Sequence, residues 1–185
     1  MVKKIIIIYL LTIIFNPLKA DLKDKIILNL EKTENLTFNF KQKIDRKTET
    51  GNCIIEYPKK IYCSYNNFNK KIMVSNGKSL AIKNQRNNQY YLYPLKKTPL
   101  ELILDKNYLI NEIKRLKGRI VDNKYYNFTL SKNNNKINIF FNLKTLNLIG
   151  WQTEDVYQNL SITFISSVKI NQKIDSKIFI IPRNN

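Results

Sequence analysis

The chain has 185 residues, with 32 Lys+Arg against 14 Asp+Glu, a formal net charge of +18 and no histidine. The missing histidine excludes His-based triads, His general bases and His metal ligands, and the few isolated acids offer no carboxylate dyad, so no metal or cofactor is expected. The lysines are scattered rather than striped and no binding motif accompanies them, which argues against nucleic acid as a partner.

The first twenty residues read as an address. Lys3-Lys4 are followed by an apolar run from Ile5 to Phe15 and then by Pro17-Leu18-Lys19-Ala20. This is the tripartite pattern of a secretory signal peptide over 1–20, cut near Ala20. The alternative is a retained anchor, but the run is short for a span of ~20 residues. The first cysteine is Cys53, so no cysteine lies near the cut to carry a lipid. The expected mature chain, 21–185, is one exported, soluble, monomeric domain of ordinary size.

Asp21 to Thr33 is predicted to be a helix with Leu22, Ile26, Ile27 and Leu30 as its apolar stripe. Leu36 to Lys41 alternates as a half-buried strand, with Leu36, Phe38 and Phe40 on one face. Asp45 to Thr50 reads as a polar connection. Two hairpins follow, one turning near Pro58 and one at Asn76-Gly77.

In the first hairpin, Cys53 and Cys63 are each five residues from Pro58, and Ile55 falls opposite Ile61. Cross-strand neighbours have Cβ atoms about 4.5–5.5 Å apart, so a Cys53–Cys63 disulfide is plausible in an oxidising compartment. The other reading is two small buried thiols. In the second hairpin, Ile72, Val74, Leu80 and Ile82 are expected to share the inner face. Gln89 to Tyr93 is a further strand.

Thr98-Pro99-Leu100-Glu101 then changes the period. Thr98 suits an N-cap, Pro99 the first helical position and Glu101 a capping box. Leu100, Ile103 and Leu104 point one way. A second helical segment, Tyr108 to Leu116, has Leu109, Ile113 and Leu116 as its stripe. This helical insertion within a strand series is a candidate lid. Strands resume at Arg119–Asp122, Tyr126–Ser131, Ile137–Asn142, Leu146–Trp151 and Leu160–Ile165, and Ile178 to Ile181 reads as a last one. The total is about 10–11 strands and three helices, mainly β. A closed barrel and a strongly curved half-barrel both fit.

The inner face offers only apolar contact: Leu36, Phe38, Phe40, Ile55, Tyr57, Ile61, Val74, Leu80 and Ile82 as a cavity wall, and Leu100, Ile103 and Leu104 as the lid. Such a cavity suits a greasy ligand, although each of these residues also suits an ordinary core. An exported esterase is disfavoured, because Ser75 and Ser79 lie in a hairpin with no histidine and no Gly-x-Ser-x-Gly elbow.

The order of features resembles the periplasmic outer-membrane lipoprotein carriers, the LolA-like family. The resemblance is carried by Phe38-Asn39-Phe40-Lys41-Gln42, by Gly51 and Tyr57-Pro58-Lys59, by Val74-Ser75-Asn76-Gly77-Lys78-Ser79-Leu80, by Thr98 to Leu104, and by Asn171-Gln172-Lys173-Ile174 with Phe179 and Pro182. It implies an antiparallel half-barrel with a helical lid over a hydrophobic cavity for acyl chains. It also implies a non-enzymatic carrier in the periplasm of a Gram-negative bacterium. Its partners would be acylated lipoproteins, an inner-membrane ABC release complex and an outer-membrane lipoprotein acceptor. Another exported lipid- or glycolipid-binding envelope protein would use the same cavity. Two positions depart from the pattern. Tyr57 stands where the family has a lid-holding arginine, and Ile61 stands where an aromatic residue often follows the proline. The Cys53/Cys63 pair lies outside the pattern.

Overall fold

The computed structural model describes residues 21–154 and 160–183. The expected signal peptide lies outside them. The helix α1 (Leu22–Lys32) leads into β1 (Asn35–Ile44), β2 (Lys47–Glu56), β3 (Lys60–Tyr65), β4 (Lys71–Asn76), β5 (Ser79–Asn84) and β6 (Tyr90–Pro94). The helices α2 (Leu100–Leu104) and α3 (Lys106–Arg115) follow. The chain returns to strands in β7 (Arg119–Val121), β8 (Tyr125–Lys132), β9 (Asn135–Asn142), β10 (Leu148–Glu154) and β11 (Leu160–Ile170).

Among the described residues, the eleven strands form one antiparallel sheet in the order β6-β5-β4-β3-β2-β1-β11-β10-β9-β8-β7. Two wings of hairpins therefore meet at the β1–β11 pair, and β6 and β7 remain as open edges. The sheet is not closed into a barrel. The three helices supply the second layer, with α1 against α3 and both α2 and α3 against β8. Irregular pairing at Thr37/Asn39 and at Leu148/Gly150 marks bulges, the ordinary device for bending a sheet.

The first hairpin has a three-residue connection, so residues of like parity face one another: Cys53↔Cys63 and Ile55↔Ile61. The two cysteines form a disulfide. Phe40 lies opposite Gly51 on β2 and packs edge-on against Tyr65, with ring centroids 4.9 Å apart. A Cβ at Gly51 would collide with the Ser64 carbonyl oxygen and lie 2.7 Å from the Phe40 ring, so glycine is needed here for close approach.

The second hairpin corrects an expectation. Its connection has only two residues, Gly77-Lys78, so opposite parities pair: Ser75↔Leu80 and Val74↔Ala81. Leu80 and Ile82 face the helices, whereas Ile72 and Val74 face the other side, because a change of one residue in register exchanges the faces. Val74 is still buried, at 1% exposure. The C-terminal segment lies against β3 and β4 in a 3-10 turn, Ser176–Phe179, with Phe179 buried. That turn replaces the expected strand at Ile178–Ile181. The segment is tied on by Asn171, whose Oδ1 accepts from Glu34 N at 2.8 Å and whose Nδ2 donates to Lys32 O at 2.9 Å.

Two further expectations fail locally. The polar stretch Asp45–Thr50 holds only a two-residue turn, Asp45-Arg46, with Asp45 at φ 51°, and strand β2 already begins at Lys47. The capping box at Thr98/Glu101 does not form. Thr98 Oγ1 donates to Leu95 O at 2.8 Å, and the Glu101 carboxylate turns to lysines instead.

The disulfide closes a sequence separation of 10. Chain-entropy arguments give such a loop about 2–3 kcal/mol. Reducing it under native conditions should lower the unfolding free energy in urea by that amount, read by tryptophan fluorescence at Trp151. An unchanged urea midpoint with two titratable thiols would contradict this.

Candidate functional site

The helix-covered side of the sheet is mostly apolar, with Ser75, Gln42 and Thr163 as polar interruptions. Leu36, Phe38, Phe40, Ile55, Ile61 and Leu80 of the first wing belong to one core with Phe128, Leu130, Ile139 and Phe141 of the second. The helices insert Ile26, Leu102, Ile103, Leu104, Leu109 and Ile113 between the wings, each at 1% exposure or less. Of the expected lid residues, Ile103 and Leu104 are fully buried there, and Leu100 packs half-buried at the margin. Ile82 lies half-buried on the same side of the sheet and Val74 lies on the opposite side. An apolar cleft of ≈ 120 Å³ opens between the end of α1 and β9–β11, lined by Leu30, Leu36, Phe141, Leu146, Leu148 and Val168 among others.

Helix α2 is held at the turn of the first hairpin. Lys59 N donates to Leu104 O at 2.9 Å. Its Nζ lies 3.2 Å from Glu101 Oε1 and 3.1 Å from Asp105 Oδ2. On the far wing, Lys132 Nζ reaches the other oxygen of Glu101 at 3.7 Å. Glu101 is buried, and its charge is balanced by lysines from both wings. Lys59 is fixed in turn by Ser75, whose Oγ donates to Lys59 O at 3.0 Å and accepts from Gly77 N at 3.1 Å. Ser75 is thus a brace between two turns, not a free nucleophile. Asp105 also starts α3, accepting from Tyr108 N at 3.1 Å. The Asp105 hydrogen bond, aided by Glu101, holds the Lys59 ammonium pKa above its ordinary value of 10.5.

The resemblance directs attention to Tyr57 for this contact, whereas the structure makes it through Lys59. The signals for Lys59 are present in the sequence: a lysine just past the turn, and two acids, Glu101 and Asp105, bracketing the short helical segment. Tyr57 itself packs on the core, and its hydroxyl makes no hydrogen bond among the described residues. Burial pushes the phenol pKa far above its usual range, so it stays protonated. Among the described residues no group of three His, Cys, Asp or Glu could hold a metal ion, and no helix is long and apolar enough to cross a membrane.

The family described as outer membrane lipoprotein carrier protein LolA matches residues 31–182. The chain belongs to the LolA family. No curated protein sequence matches it. Among solved structures, a conserved protein from Thermus thermophilus shares the fold at TM-score 0.51 and 6% identity, covering 86% of this chain and 94% of that one. A LolA-superfamily protein from Nitrosomonas europaea aligns at TM-score 0.46 and 9% identity, covering 85% and 96% of the two chains. An outer membrane lipoprotein-sorting protein domain from Vibrio parahaemolyticus aligns at 0.47 and 6%, covering 84% and 95%. In this LolA-family chain the charged contact to α2 sits on Lys59, two residues beyond Tyr57, where the resemblance implies an arginine.

Replacing Lys59 with methionine leaves the buried Glu101 with Lys132 alone. Stability should fall by about 1–2 kcal/mol in urea unfolding, since a part-buried charge loses its partner. The wild-type contribution also has a pH signature. A folded-state pKa raised above 10.5 means that the contribution is complete below that pH and fades as pH rises through the folded value. The Lys59→Met protein should lack this alkaline loss, and identical alkaline profiles would contradict the assignment.

Proposed function

We infer that this chain is a periplasmic carrier that takes the acyl chains of lipoproteins from the inner membrane to an outer-membrane acceptor. The observation that supports it is the concave apolar face beneath helices that one charged clasp, at Lys59, joins to the first hairpin. Such a face recognises hydrocarbon without regard to its identity. Each CH₂ moved from water contributes about 0.8 kcal/mol, so one acyl chain suffices for binding. Release is the harder step. Leu102, Ile103 and Leu104 occupy the same face that the cargo needs, so every chain bound displaces helix side chains. Binding is weakened by that displaced contact, and handover becomes possible.

The carrier works as a soluble monomer in the periplasm of a Gram-negative bacterium, exported by the segment before Asp21. It carries out no chemistry on its cargo. Its partners are acylated lipoproteins, an inner-membrane ABC release complex and the outer-membrane acceptor.

The test is a release assay. Spheroplasts that retain newly made lipoproteins are incubated with the mature protein, 21–185, and the supernatant is analysed for triacylated lipoprotein. Release in proportion to added protein is expected. Retention in the membrane, under conditions where an authentic carrier frees the same lipoproteins, would refute the reading. Co-purification with free lipid instead would point to the glycolipid or lipid alternative.

A further inference from the structure

Tyr57 sits on a border between polar and apolar surroundings. Its backbone N–H donates to Glu34 O at 2.9 Å, and Lys106 Nζ lies 5.7 Å from its ring centroid. The residue forms part of the wall of a cleft of ≈ 450 Å³. The rest of that wall is polar apart from Pro58: Glu34, Asn35, Glu56, Lys106 and Asn107. The tyrosine also packs against the apolar core. Its hydroxyl oxygen is buried and has no hydrogen-bond partner among the described residues.

That hydroxyl needs an explanation. Buried polar groups are satisfied in the great majority of cases, and an unsatisfied one costs free energy that phenylalanine would avoid. Nearby groups are committed elsewhere. Lys106 Nζ donates to Thr33 O at 3.0 Å and Glu31 O at 3.3 Å. Lys59 is engaged with Glu101 and Asp105. The closed fold therefore gives the hydroxyl no task.

We propose that the Tyr57 hydroxyl receives the carbonyl oxygen of an acyl ester or amide, and so sets the point on the cargo at which the alkyl chain begins. The inference rests on the carrier reading above. An acylated head group has the same border as Tyr57: polar atoms up to the carbonyl, hydrocarbon beyond it. With the alkyl chain under the helices and the head in the polar cleft, the carbonyl falls between them, at Tyr57. The phenol O–H donates and the carbonyl accepts. The bond exists only in the loaded state, so it favours that state over the closed, empty one.

The experiment compares two probes on the mature protein: a diacylglycerol ester, and the dialkylglycerol ether of equal chain length, which lacks only the carbonyl oxygens. The wild type should bind the ester about tenfold more tightly than the ether, the value of one net hydrogen bond. Tyr57→Phe should bind both probes with the ether's affinity and unfold no more easily than the wild type. Equal affinity of the wild type for ester and ether would overturn the proposal while leaving the carrier reading intact. A Tyr57→Phe protein that is destabilised and loses both probes would also overturn it, because the hydroxyl would then have a structural partner. If the wild type binds neither probe, the carrier reading fails and this inference fails with it.

Discussion

A sheet whose helix-covered side carries apolar residues from both wings must remove that side from water. Residues of both wings, Ile55 and Ile61 on one and Ile139 and Leu130 on the other, are wholly buried only because helices lie over them. The sheet ends in open edges at β6 and β7, so closure into a barrel does not supply the cover. The cover comes from α1, fixed before the first strand, and from α2 and α3, inserted between the two wings. The position of these helices decides what the concave side can bind.

The cover combines two kinds of contact with different properties. The apolar contacts are strong but non-directional. The charged contacts of Lys59 and Lys132 with Glu101 and Asp105 are weaker but directional. They fix where α2 sits; the lysines are partly exposed, so the net gain of each pair is modest, but removing one leaves the buried Glu101 undercompensated. The five-residue helix α2 is too short to be stable alone, so its order depends on these contacts and on the face below it.

Much of this is legible in the sequence, for identifiable reasons. Symmetry about Pro58 places Cys53 opposite Cys63, and the change of period at Thr98 marks the helices between the wings. The failures have identifiable causes as well. Val74 lies on the far side because the Gly77-Lys78 connection has two residues, and hydrophobic pattern alone does not count turn residues. Ile178 to Ile181 has the composition of a strand, but a 3-10 turn buries Phe179 near β3 and β4 instead. Glu101 has the spacing of a local cap, whereas its carboxylate faces two lysines far away in sequence. Lys59 escapes notice because the resemblance points two residues earlier, to Tyr57. The Glu101 and Lys59 pairings are long-range, so the sequence shows the charges but not which of them meet.

The central claim is that cargo and lid compete for one face. Hydrogen exchange read by mass spectrometry tests it directly, on the mature protein with and without a saturating acylated lipopeptide. The account predicts that α2 and the start of α3 lose protection on loading, while β1, β2 and β9 keep theirs. Unchanged or increased protection of α2 at full occupancy would place the cargo elsewhere and contradict the account.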